Sequence, residues 1–291
     1  MNEVEIGIIG GSGFYQLNSI ENSEYIEIQT PFGSPSEKIL IGEIKNKRVA
    51  FLSRHGMGHR LNPSEINYRA NIYALKKIGA RRIISFAAVG SLKEKFAPQH
   101  IVIPDQFYDN TYKREKTFFE NGIVAHVPMA NPVCPYLSEL SYKVIKKLGL
   151  NVHKGGTYMN MEGPQFSTKA ESNAYRELGF DIIGMTQAVE AKLSREMEIC
   201  YSSLCFVTDY DCWHNEFESV TVDMIIENFN NNVENMKKIV KGLIKEINTD
   251  ASDCLCANAL KYSIVTSRNK INKEAYEKLE IVLSKYFDSG D

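Results

Sequence analysis

Short apolar runs rich in β-branched residues alternate along this chain with longer segments whose apolar positions recur every three or four residues. That alternation predicts an α/β sheet, because strands buried on both faces read as continuous apolar runs while covering helices show one apolar stripe. Ile6-Gly7-Ile8-Ile9 reads as a buried strand that ends in Gly10-Gly11-Ser12-Gly13. Residues 38–44 and 48–52 are two further strands, with Lys45-Asn46-Lys47 as the hairpin turn. Residues 66–78 place apolar side chains at 66, 70, 74 and 78 and stop at Gly79, which predicts a helix and its C-cap. Residues 136–148 repeat the pattern through Leu137, Leu140, Val144 and Leu148 and stop at Gly149. Strands over 82–88, 181–185 and 199–208, with helices over 189–197 and 222–247, complete the alternation. After Ser252 the texture changes to a polar turn, a Cys254-x-Cys256 pair and an amphipathic segment over 270–286. With no internal repeat or low-complexity linker, the expectation is one α/β domain over residues 1–250 and an extension over 251–291.

Composition narrows the picture mainly by exclusion. The chain has 291 residues, enough for a large core, and a net charge of -2. That charge gives no bulk electrostatic hold on nucleic acid or an acidic membrane, so neither is expected as a partner. No window approaches the roughly 18 uninterrupted apolar residues of a membrane span. The polar, acidic start lacks a leader pattern, so a cytoplasmic location is expected. Cys134, Cys200, Cys205 and Cys212 read as scattered, buried free thiols. Cys254 and Cys256 lack the second pair of a zinc ribbon, so no metal site is expected; a disulfide between these near neighbours is left open.

Candidate chemistry gathers at predicted strand ends, where open α/β sheets collect their ligands. Gly10-Gly11-Ser12-Gly13 offers backbone amides and the Ser12 hydroxyl to an anion, although a plain tight turn fits as well. Its glycines do not give the G-x-G-x-x-G spacing, which argues against a nicotinamide enzyme. Ser53-Arg54-His55-Gly56 supplies a guanidinium fork for an oxyanion and a neighbouring imidazole as a second donor. Ala87-Ala88-Val89-Gly90-Ser91 lets a ligand approach the backbone, and Met185-Thr186 adds another hydroxyl. Ser12, Arg54, His55 and Thr186 are together enough donors for a phosphate dianion. Thr208-Asp209-Tyr210-Asp211-Cys212-Trp213 differs in sign, with two carboxylates after an apolar strand. They read either as a turn or as a general acid and an acceptor for a purine.

The order of motifs adds a family. Ile6-Gly-Ile-Ile-Gly-Gly-Ser-Gly-Phe14, Thr30-Pro-Phe-Gly33, Arg54-His-Gly56, Ile66-Asn-Tyr-Arg-Ala-Asn-Ile72 and Val102-Ile-Pro-Asp-Gln-Phe107 come first. His126-Val-Pro-Met129, Glu162-Gly-Pro-Gln-Phe166, Ala170-Glu-Ser172, Gly184-Met-Thr186 and Asp209-Tyr-Asp-Cys-Trp213 follow. In this order, over about 6–247, the chain resembles the 5′-methylthioadenosine phosphorylases of the trimeric purine nucleoside phosphorylase group. The resemblance implies a single α/β domain around a twisted, partly barrel-like mixed sheet flanked by helices. It implies a phosphate cradle of Ser12, Arg54, His55, Thr186 and the Ala88 amide, with Met185 against the ribose and Phe166 near purine and ribose. Asp209 and Asp211 would read the base, and Val222, Ile225 and Ile226 would form an apolar wall around the 5′ substituent. His126 resembles the residue a neighbouring subunit lends to the 5′ pocket, which implies a homotrimer or a dimer of trimers. Cys254 and Cys256 resemble a pair near the end of archaeal members, which are often disulfide-bonded.

The chemistry so implied is phosphorolysis of a methylthioadenosine, with inorganic phosphate as co-substrate and no cofactor. Two positions depart from the family. Ala87 stands where a hydroxyl residue usually serves the phosphate, and Val189 where a proline usually precedes the glutamate. A broader nucleoside phosphorylase, acting on adenosine or inosine, and a weak nucleoside-binding paralogue are the alternatives these departures raise.

Overall fold

The computed structural model describes residues 4–11, 20–214, 222–250 and 254–287, with side chains left undescribed over 222–232. Eleven strands of the described residues form one mixed sheet. Its middle is β1 (Ile6–Gly10), β4 (Lys47–Ser53), β5 (Arg82–Ser91) and β11 (Cys200–Asp209). β1 is apolar and buried at every position and lies parallel to both β4 and β5, as a strand covered on both faces should. β3 (Ile39–Ile44) joins β4 through Lys45 and Asn46, at φ 53° and 62°. Two consecutive positive φ values are what a two-residue type I′ hairpin requires.

The remaining strands are β2 (Glu21–Ile26), β6 (Ile101–Ile103), β7 (Gln106–Asp109), β8 (Val152–Lys154), β9 (Thr157–Asn160) and β10 (Ile182–Gly184). Helices α1 (Tyr68–Lys77), α4 (Gln187–Glu196) and α6 (Lys273–Phe287) cover one face through Ile72, Leu75, Leu193, Leu279 and Leu283. α2 (Pro135–Lys147) and α5 (Val222–Glu246) cover the other, packing Leu137, Val144, Ile239 and Leu243 on Ile8, Ile84 and Phe206. α3 (Lys169–Glu177), opened by a Thr168–Glu171 capping box, lies at the β9–β10 end. The 251–291 extension is more than an appendage, since α6 supplies Ala275, Leu279, Val282 and Leu283 to the same buried cluster as α1. No helix among the described residues is long and apolar enough to cross a membrane.

The sheet is not closed, and its branching at β5 is what makes a site. β11 follows one edge of β5 from Arg82 to Gly90. On the other edge β1 pairs only as far as Ser85, and antiparallel β10 arrives only at Gly90 and Ser91. Between them, that edge of β5 has no strand partner among the described residues, and it contains Ala87 and Ala88. The ends of β1 and β10 flank this gap, the end of β4 lies beside β1, and β11 runs along the opposite edge of β5.

Candidate functional site

Arg54 follows β4 and is buried at 2% exposure beneath the gap. The sequence predicts a free fork for an oxyanion; the structure spends most of that fork inside the protein. Its Nε donates to the Glu190 carboxylate on α4 and pairs with it ionically. Its Nη2 donates to Ser85 Oγ at 2.6 Å and to Glu190 Oε2 at 3.1 Å, and Nη1 donates to the Phe86 carbonyl at 3.0 Å. One Nη1 hydrogen is left over, and Nη1 is the atom nearest a side chain built on Gly11, at 3.8 Å. Burial alone would push the guanidinium pKa down, but the Glu190 carboxylate outweighs it and holds the charge in place.

Around this pair every polar group has a role. Ser85 and Tyr201 hydroxyls donate to Glu190 at 2.6 and 3.0 Å. Tyr201 and Ser203 both lie 2.7 Å from Gln187 Oε1, whose amide nitrogen donates to Thr186 Oγ1 at 3.0 Å. Thr186 is buried at the N-cap of α4, and of that helix's first amides the one of Ala188 already donates to Asn160 Oδ1 at 3.0 Å. Helix N-termini favour anions through their unpaired amides and dipole. Glu190, Ser85, Gln187 and Tyr201 were not singled out from the sequence; a lone Glu in the apolar run Ala188-Val189-Glu190-Ala191 is the signal that marks it.

His55 differs from its expected part as a donor. Its Nδ1 lies 2.9 Å from the Leu61 carbonyl, which can only accept, so Nδ1 carries the hydrogen. Burial first, and the adjacent Arg54 and His59 next, press its pKa down to about 3. The ring is therefore neutral, and its Nε2 is an acceptor. His59 stacks on it at 4.0 Å between centroids.

The carboxylates sit on the β11 side of β5. Asp209 ends β11 opposite Gly90, and its Oδ1 would lie 3.0 Å from any Cβ placed there. It accepts from the Thr208 hydroxyl and the Asp211 amide, both at 2.7 Å. Burial raises its pKa to about 6 despite those two donors, with the Asp211 charge adding to the rise. Asp211, at φ 51°, is also buried and its pKa raised by burial, partly offset by nearby Ser172 and Ser167. Its Oδ2 is buried without a hydrogen-bond partner among the described residues. A buried acceptor left in that condition costs about 1–3 kcal/mol, and a ligand N–H would relieve it.

Met185 leads from β10 into Thr186 and is half-buried against Gly163. Arg114, also missed in the sequence, fixes it. Its guanidinium donates to the Met185 and Glu162 carbonyls and pairs with Glu162 at 3.3 Å. Ala88 is half-buried beside the gap, whereas Ala87 is buried in an apolar cluster that includes Val89, Val207 and Tyr158, and Val189 is fully buried. Phe166 is 44% exposed and His126 is exposed, held by its amide to the Ser263 carbonyl at 2.8 Å. Ser12 and the side chains of Val222, Ile225 and Ile226 lie outside the described residues. A separate cleft of about 650 Å³, lined by Lys95, Phe96, His153 and Asp181 among others, shares no residue with this site.

The cysteines also differ from their expected scatter. All six are free thiols, and Cys134 and Cys200 come together with Cys254 and Cys256, a set brought together by tertiary packing that sequence spacing does not reveal.

Residues 5–245 match the model of the phosphorylase superfamily. The chain is 49% identical over 285 residues to the S-methyl-5′-thioadenosine phosphorylase of Geobacter sulfurreducens, covering 98% of this chain and 99% of the relative. A methylthioadenosine phosphorylase crystal structure from an antarctic soil metagenomic library superposes with TM-score 0.92 at 44% identity, covering 97% of this chain and all of the other. The methylthioadenosine phosphorylase of Schistosoma mansoni in complex with adenine gives TM-score 0.82 at 33% identity, covering 98% and 100%.

Proposed function

Since this chain belongs to the phosphorylase superfamily, we propose that it cleaves S-methyl-5′-thioadenosine with inorganic phosphate, giving adenine and 5-methylthioribose 1-phosphate. The observation that carries this reading is the pair of buried carboxylates, Asp209 at a pKa near 6 and Asp211 with an unpartnered oxygen. A carboxyl group that is easily protonated suits N7 of a departing purine. A carboxylate that only accepts suits the amino group of adenine, where a 6-oxopurine would present another acceptor.

In this reading phosphate occupies the gap along β5. It takes hydrogen bonds from the spare Arg54 Nη1 hydrogen, the Ala88 amide and Thr186 at the start of α4; Ser12 joins them by the family resemblance of the sequence alone. The neutral His55 accepts a hydrogen bond from P–OH at Nε2, which orients the phosphate without taking its proton. As the C1′–N9 bond lengthens, charge develops on the purine and Asp209 donates toward N7, while the bound phosphate closes on C1′ from the other side. General acid help of this kind is worth about 10² to 10⁴ in rate. Met185, held by Arg114, lies against the ribose, and Phe166 closes over the base. Val222, Ile225 and Ile226 are assigned to the wall for the methylthio group from the family resemblance of the sequence.

The exposure of His126 supports its use by a neighbouring subunit, and with it a homotrimer or a dimer of trimers. Six free thiols suit a reducing compartment, and the cytoplasm is part of the same reading. A panel of methylthioadenosine, adenosine and inosine, each with and without phosphate, tests it. The expected order is methylthioadenosine first, adenosine reduced about 10²-fold or less, and inosine last. Inosine as the preferred substrate, or no turnover of any, contradicts it.

A further inference from the structure

Four sulfurs from distant parts of the chain meet at the end of β11 farthest from Asp209. Cys200 opens β11, Cys134 caps α2, Cys254 precedes the short 3-10 turn Leu255–Asn258, and Cys256 lies within that turn. All four Sγ atoms lie within 4.8 Å of one another, and Cys134 and Cys254 are 3.8 Å apart. A tetrahedral zinc with Zn–S bonds of about 2.3 Å has S···S edges of about 3.8 Å. Cys134, Cys200 and Cys256 are buried, while Cys254 is half-buried and leaves a path of entry.

A second observation points to a negative group here. Arg82, 3% exposed, stands opposite Cys200 in the β5–β11 pairing and donates from Nη1 to Cys200 Sγ at 3.6 Å. Its other contacts are the Asp250 carbonyl at 2.6 Å and the Tyr136 ring at 4.5 Å, and its Nε is buried without a partner. Among the described residues no carboxylate lies within ion-pair distance of it. A buried guanidinium needs a counter-charge, and four thiolates around a divalent cation carry two negative charges.

We propose that Cys134, Cys200, Cys254 and Cys256 form a tetrathiolate site for one zinc ion per chain, pinning the 251–291 extension to the starts of α2 and β11. The site is structural: four protein ligands close the coordination shell and leave no position for substrate. It stands independently of the nucleoside chemistry.

The test uses the full chain purified under reductant without added metal. Metal analysis is expected to give one zinc per chain, and a strong chelator lowers Tm by about 5 °C or more. Anaerobic replacement by Co²⁺ gives the visible bands of a tetrahedral site with a thiolate-to-cobalt charge-transfer band, and the four cysteines resist alkylation until the metal is removed. Cys254→Ser, at the half-buried position, loses the four-thiolate spectrum. Recovery of the four cysteines as disulfides in the reductant-purified protein, or as alkylatable thiols after zinc is supplied, overturns the proposal. So does a cobalt spectrum unchanged in Cys254→Ser.

Discussion

The two sides of the β5 gap are built on opposite electrostatic plans. On the Arg54 side a buried cation meets a buried anion, and Ser85, Tyr201, Gln187 and Thr186 close the network until one Nη1 hydrogen remains. On the Asp209 side two carboxylates are buried with no cation paired to them among the described residues, one with its pKa raised to about 6 and the other with an oxygen that has no partner there. The first side is a preorganised frame whose charge is already neutralised. The second is held in an unfavourable state that a purine would relieve. Positioning and proton transfer are thus assigned to different walls of one gap, and the two should respond differently to mutation.

Asp209→Asn tests the second wall and carries the largest expected effect. Activity falls by about 10² to 10⁴-fold. Stability moves the other way. The folded pKa of Asp209, near 6, lies above its unfolded value, so its stabilising effect is full below about pH 4 and is lost as pH rises through 6. The variant should therefore gain about 1–3 kcal/mol over the parent at pH 7 and nothing at pH 4, read by urea melts at both. The same protonation makes kcat/KM of the parent fall as pH rises above about 6, and this limb should vanish in Asp209→Asn.

Glu190→Gln tests the first wall. It leaves Arg54 charged and unpaired in the interior, at a cost of about 3–5 kcal/mol in unfolding free energy. Replacing both partners, Arg54→Met with Glu190→Leu, should recover much of that loss while activity stays low. Recovery of activity would mean that the pair serves packing alone.

Asp211→Asn converts an acceptor into a group that also donates. Preference for methylthioadenosine over inosine should fall by at least about tenfold, with little change in KM for phosphate. The smallest effect is expected from Ala87→Thr, which restores a hydroxyl beside the phosphate position. KM for phosphate should fall about fivefold, limited because the Ala87 methyl lies in an apolar cluster.

The same contrast explains what could be read in the sequence. β1, β4, β5 and β11 were legible because they are apolar and bounded by glycine or charged residues, and α1 and α2 because Gly79 and Gly149 mark their ends. β2 was not, since Glu21-Asn22-Ser23-Glu24 is polar and largely exposed and owes its pairing to β3. β6 to β9 are three or four residues long, too short for any period. At the candidate site, Arg54, Thr186, Asp209 and Asp211 could be nominated from the sequence because they fall at or just past the ends of strands. Glu190 and Arg114 were missed because they act from a helix and a loop on residues far away in the chain. The reversal of His55 from donor to acceptor depends on the Leu61 carbonyl, and the gathering of four cysteines on α2 and the extension docking beside β11. Neither is encoded in local spacing.

In the proposed reaction the bond to the purine is broken by phosphate rather than water. Incubation of the purified protein with methylthioadenosine, following adenine and the sugar product together, tests it most directly. Adenine release is expected to require phosphate and to be matched by an equimolar amount of 5-methylthioribose 1-phosphate. Adenine release at the same rate without phosphate, with free methylthioribose as the product, would contradict it.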